Sequence, residues 1–88
     1  MEGEPEKKLV GRVTHYYGKI GVAVVELSDE LSVGDRISIE GSTTNFQQTV
    51  ESMEIEHQKI QTAKPGDAIG LKVNEKVREG DLVYKLTG

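Results

Sequence analysis

The sequence predicts an all-β domain, and three observations carry that expectation. Polar and apolar residues alternate with period two in RISIE (36–40), DAIGLKV (67–73) and DLVYKL (81–86), which sends successive side chains to opposite faces of a strand. Gly-Asp occurs three times in 88 residues, at Gly34-Asp35, Gly66-Asp67 and Gly80-Asp81, each time just ahead of such a run. The segments between the runs, LSDELSVGD, EGSTTN and NEKVREGD, are short and rich in turn formers.

Each element follows in order. KLVGRVTHYY (8–17) reads as a strand with Gly11 inside it, the mark of a bend or a close backbone approach. GKIG (18–21) reads as a hairpin turn. KIGVAVVEL, apolar almost throughout from Ile20, reads as a strand with little exposed face. In RISIE, Ile37 and Ile39 share a face. FQQTVESMEIEHQKIQ (46–61) admits two readings. Val50, Met53, His57 and Ile60 recur at helical spacing. As a strand, its apolar parity changes from even (Phe46, Val50) to odd (Met53, Ile55), which needs a bend near Ser52. The other five strands favour a sheet or closed barrel with this segment as the sixth. Ile69, Leu71 and Val73 share a face of the next strand. Leu82, Tyr84 and Leu86 share a face of the last, which places Tyr84 in the core.

Composition bounds the rest. Eighty-eight residues make one domain. Cysteine is absent, which excludes disulfides and thiolate zinc sites and fits a cytoplasmic location. No apolar run reaches the roughly 20 residues needed to span a bilayer, so no membrane partner is expected. MEGEPEKK reads as a disordered tail over residues 1–8, ahead of a domain over 9–88. The net charge of −4 comes from 15 acids and 11 bases. Residues 26–56 carry eight acids against one base, Arg36, whereas residues 57–88 carry six bases against four acids, so an acidic and a basic side are possible.

Catalytic patterns are lacking. There is no GxxxxGK[ST] loop, so no nucleotide is expected. His15 and His57 are the only histidines and stand at no metal-ligand spacing. No serine lies in a nucleophile elbow. The expectation is no catalytic residue, no metal and no cofactor.

From Leu9 to Leu86 the chain resembles domain II of the translation GTPases, the β-barrel of the elongation factor Tu group. The residues that carry the resemblance are VGRVTHYYGKIGVAVVEL, LSVGDRISIEG, QQTVESMEIEHQKIQTAKPGDAIGLKV and VREGDLVYKL. It implies a six-stranded antiparallel Greek-key closed barrel, with 46–57 extended rather than helical. It places Gly34, Gly66 and Gly80 where the chain turns into barrel strands, Gly allowing positive φ, and Asp35, Asp67 and Asp81 where a carboxylate bonds nearby backbone N–H groups. It further implies a non-enzymatic, translation-related module contacting tRNA or ribosomal RNA. Lys59 and Lys64 are then the leading contacts, with Arg12 and Lys19 behind them and one of Tyr16 and Tyr17 facing outward to stack on a base. Lys64 stands where that family has a basic residue, but Gln61 and Thr62 stand where it has acids beside the tRNA end. The chain also resembles, more weakly, the C-terminal part of a peptidase family. The alternative function is accordingly a protein-interaction or accessory barrel that docks on a larger partner, its acidic stretch from Glu26 to Glu56 facing a basic surface.

Overall fold

The computed structural model describes residues 6–87. These form ten strands: β1 (Lys7–Tyr17), β2 (Val22–Leu27), β3 (Leu31–Ser32), β4 (Arg36–Glu40), β5 (Asn45–Thr49), β6 (Met53–Ile55), β7 (Gln58–Ile60), β8 (Thr62–Ala63), β9 (Ala68–Lys72) and β10 (Leu82–Leu86). Eight make one antiparallel sheet in the order β5-β4-β10-β1-β2-β9-β6-β7, and β3 pairs with β8 in a second. The fold is all-β and antiparallel, as the alternation requires. Its ladders do not themselves form a ring of six strands, because the sheet order ends at β5 and β7. Residues 1–5 of the expected tail lie outside the described residues. Lys7 and Lys8, also assigned to that tail, pair with Leu86 and Lys85 in the β1–β10 ladder.

The ambiguous segment is extended. Asn45–Thr49 pairs with β4, and Met53–Ile55 pairs with β9. The break falls at Val50–Ser52, where the parity changes. Val50 and Met53 are both buried, so the bend lets one stretch of chain bury even residues before it and odd residues after it. The helical spacing of Val50 and Met53 records that switch of face.

The core is aliphatic. Val10, Val13, Ala23, Val25, Ile37, Ile39, Met53, Ile69, Leu71 and Val83 are fully enclosed, and Val77 reaches in from the β9–β10 loop. Two sequence readings change here. The buried residue of β10 is Val83, opposite Ile39, while Leu82, Tyr84 and Leu86 are only half-buried. Tyr84 therefore lies at the surface, where the Lys7 ammonium sits 4.8 Å from its ring centroid. The pairing register decides the face when apolar residues occupy both parities. The second change is at β2. It buries Ala23, Val25 and Leu27 but leaves Val22 and Val24 half-exposed, and Ile20 beside it is 62% exposed.

The Gly-Asp pairs are three copies of one device. Gly34, Gly66 and Gly80 have φ of +99°, +92° and +92°. Each aspartate accepts a bond at its Oδ2 from the backbone N–H three residues before it: Ser32 to Asp35 (2.9 Å), Lys64 to Asp67 (2.9 Å) and Arg78 to Asp81 (2.8 Å). Each pair also grips one buried residue of a distant strand or bend. Gly34 N–H donates to the Val50 carbonyl, and Val50 N–H donates back to the Asp35 carbonyl. Leu27 stands in the same relation to Gly66 and Asp67, and Val13 to Gly80 and Asp81, all at 2.8–2.9 Å. A turn thus becomes a two-bond extension of the sheet, and backbone groups that would otherwise be buried unpaired are satisfied.

Candidate functional site

The half-exposed side of β2 is one wall of a groove of about 300 Å³. Its geometry follows from the register. Gly70 on β9 lies between Val24 on β2 and Glu54 on β6. Having no side chain, it leaves a low floor between two walls. A Cβ at that position would come 3.4 Å from Val22 Cγ1 and 3.8 Å from the Glu54 carbonyl oxygen. Val22 and Val24 form the apolar wall. The β1–β2 turn, closed by a bond from Ile20 N–H to the Tyr17 carbonyl, adds Tyr17 and Ile20 at one end. Tyr17 is half-exposed, and its ring lies 4.4 Å from that of His15, tilted by 58°.

The opposite wall is polar. Glu54, Glu56 and His57 line it, the last two forming the two-residue turn between Ile55 and Gln58. Both have positive φ, +51° and +67°. A two-residue hairpin turn with positive φ at both positions favours Asn-Gly, and larger L-residues are strained in it. Among the described residues the ion pairs lie elsewhere: Lys7–Glu40 (2.8 Å), Lys8–Asp29 (2.7 Å) and Lys85–Asp35 (3.3 Å); His15 Nδ1 lies 3.2 Å from Glu79 Oε2. Hydrogen bonds from Lys7 and Ser38 hold the Glu40 carboxyl below its ordinary pKa. The bond from Lys8 does the same for Asp29, and the Lys8 ammonium is raised in turn.

Of the residues expected to contact RNA, Arg12 and Lys64 share one end of β2, and Lys19 and Lys59 lie apart from them. Arg12 is exposed on β1 opposite Glu26, at the end of β2 remote from the hairpin. Lys64 is exposed at that same end, in the turn that grips Leu27. Lys19 lies in the β1–β2 turn, and Lys59 is exposed on β7 opposite Glu54. Of the two tyrosines, Tyr16 packs against the core and Tyr17 faces out. Among the described residues no group of three or more His, Cys, Asp or Glu is placed to hold a metal, and no helix is long and apolar enough to cross a membrane. The groove itself went unforeseen. Its sequence signal was the unbroken apolar run of β2, which burial on both faces would also explain.

The fold is an all-β antiparallel domain with a groove across β2, β9 and β6, and comparison with known proteins gives its family. Residues 5–83 match the model of the peptidase family U32 C-terminal domain. The chain is 46% identical over 78 residues to an uncharacterized protease of Methanocaldococcus jannaschii, covering 88% of this chain and 19% of that protein. It is 40% identical over 82 residues to a collagenase of Porphyromonas gingivalis, covering 91% of this chain and 23% of the other. Among solved structures, the C-terminal domain of a candidate U32 peptidase of Geobacillus thermoleovorans superposes with a TM-score of 0.82 at 23% identity, covering 86% of this chain and 96% of that one. The chain belongs to the U32 peptidase C-terminal domain family.

That membership corrects the translation-factor assignment and the tRNA- or ribosome-binding function that came with it. It also corrects the non-enzymatic classification, since the relatives are named as a protease and a collagenase. The physical reason is that the motifs carrying the resemblance are Gly-Asp turns and strand alternation. These specify how a chain folds, and one fold serves unrelated functions. The chain spans about a fifth of the length of the curated relatives it matches.

Proposed function

We propose that this domain is the accessory module of a U32-type peptidase and acts by docking on the remainder of that protein. The observation that supports the reading most is the coverage: nearly all of this chain matches about a fifth of a protease and of a collagenase. The acidic stretch anticipated for docking includes Glu54 and Glu56 on the groove wall. Peptide-bond cleavage is proposed for the whole protein, to which the domain contributes position and contacts. The test is to remove the matched segment from the Methanocaldococcus jannaschii relative and add it back as a separate chain. Activity on a casein or gelatin substrate should fall on removal and recover in part on addition. Unchanged activity, with no association between the pieces, would refute the reading.

The rigidity such a module needs has a structural counterpart. The sheet closes, in this reading, as a six-stranded Greek-key barrel in which β5 and β6 are two halves of one bent strand. What supports closure is the three-residue link between them, with β5 on β4 and β6 on β9. The Gln48 side chain adds to it, donating to the Lys72 carbonyl (2.8 Å) and accepting from Asn74 N–H (2.7 Å).

A further inference from the structure

The groove wall is built against the interest of the fold. Glu56 and His57 occupy the two positive-φ positions of a turn that asparagine and glycine would fill with less strain. Strain of this kind persists at sites where a side chain is needed for another purpose. The other wall shows the same conflict. Tyr17 and Ile20 are 50% and 62% exposed, beside half-exposed Val22 and Val24, so an apolar surface is left in water. The two unfavourable features face one another across Gly70.

Their chemistry selects the occupant. The floor and one wall are aliphatic and aromatic, and the other wall carries two carboxylates. Among the described residues, neither Glu54 nor Glu56 makes an ion pair; Lys59 stands opposite Glu54 without closing one. The matching ligand carries an aliphatic side chain next to a cationic one. Size selects its source. The groove is lined by ten residues, where a free-standing stable interface uses roughly 20–30 residues a side. Contacts this few hold when the ligand is tethered, because a short linker supplies an effective concentration of about a millimolar.

We propose that the groove receives an extended segment from the body of the peptidase, with a branched aliphatic side chain over Gly70 and a lysine or arginine between Glu54 and Glu56. The proposal rests on the accessory-domain reading. The probe is the Methanocaldococcus jannaschii relative lacking its matched segment, titrated into this chain labelled with nitrogen-15. The largest amide shifts are expected at residues 17–24, 54–57 and 70. Glu54→Lys with Glu56→Lys should weaken binding at least tenfold, as should Gly70→Val, with Gly70→Ala in between. The pair Glu56→Asn and His57→Gly should raise the melting temperature and still weaken binding. Shifts on another face, or binding indifferent to these substitutions, overturn the groove assignment and leave the accessory reading standing. No association at millimolar concentration overturns both. Gelatin producing the same shifts would make the occupant a substrate polypeptide and overturn the assignment to the peptidase body.

Discussion

Replacing Gly66 separates two reasons for a glycine. Its φ is +92°, and nothing lies within 4 Å of where an added Cβ would sit. Any cost is therefore conformational rather than steric. An L-residue held at positive φ loses about 1–2 kcal/mol, so Gly66→Ala should destabilise by about that amount. For a domain of this length each kcal/mol lowers the melting temperature by about 4–8 °C. Asn tolerates the left-handed region better than Ala, and a β-branched residue tolerates it least. The expected order of stability is Gly, Asn, Ala, Val, read by urea denaturation with an unchanged m-value. Size alone gives a different order, because Asn is larger than Ala. If Asn proved worse than Ala, or if all three substitutions were neutral, the turn conformation would not be what the glycine serves.

The remaining expectations concern the Asp81 turn, a close backbone approach at Gly11 and two surface carboxylates. At Gly41 a Cβ would run into Asp81 Oδ1, so Gly41→Ala and Asp81→Ala should be strongly non-additive in a double-mutant cycle. Asp81 is buried, and removing its carboxylate orphans the Arg78 N–H; Asp81→Ala should cost about 1–3 kcal/mol, more than Asp35→Ala or Asp67→Ala at half-buried sites, as denaturation midpoints will show. Gly11→Ala should destabilise by about 1–3 kcal/mol, because its Cβ would lie 2.7 Å from Val25 Cγ1 and 2.9 Å from the Glu26 carbonyl. Asp29 and Glu40 have folded pKa values below their ordinary ones, so their contribution is present above the ordinary carboxylate range and lost as pH falls through the folded values. Acid titration of the melting temperature should show that loss, smaller in Glu40→Gln and in high salt, since both groups are exposed to screening.

Much of the fold was legible because its signals are local. Gly-Asp ahead of an apolar run marked three turns, and the alternation of Ile37 with Ile39 and of Ile69 with Leu71 marked core faces that the structure buries. What failed to show was set by pairing between distant strands. Leu82, Tyr84 and Leu86 and the lone Val83 are both apolar sets, and only the register against Ile39 selects Val83. The bend after Val50 was visible as a change of parity, whose alternative reading as helix the residue pattern alone left open. For the site, local signals carry less. The charges of Lys59, Lys64, Arg12 and Lys19 are visible along the chain, whereas strand pairing decides that Arg12 and Lys64 share one end of β2 while Lys19 lies in the β1–β2 turn and Lys59 on β7. The groove arises from three strands and two turns, and its floor is a residue without a side chain.

The division of labour within β2 explains why such a groove can exist on a small domain. Ala23, Val25 and Leu27 face inward, and Leu27 is also gripped by the turn at Gly66 and Asp67. These residues hold β2 in the core. Val22 and Val24, on the same strand, add little to that core, since water still reaches them. Polar residues in their place would leave the buried set intact and would lower the exposed apolar surface. A strand with one buried face ordinarily reads apolar in and polar out. Departure from that pattern at Val22 and Val24, opposite a turn that keeps Glu56 and His57 at positive φ, is a double cost with no return in folding. The proposed docking of a peptidase segment would supply the return. The three Gly-Asp grips make that arrangement tolerable, because they hold Val13, Leu27 and Val50 by backbone bonds that do not depend on the outer face.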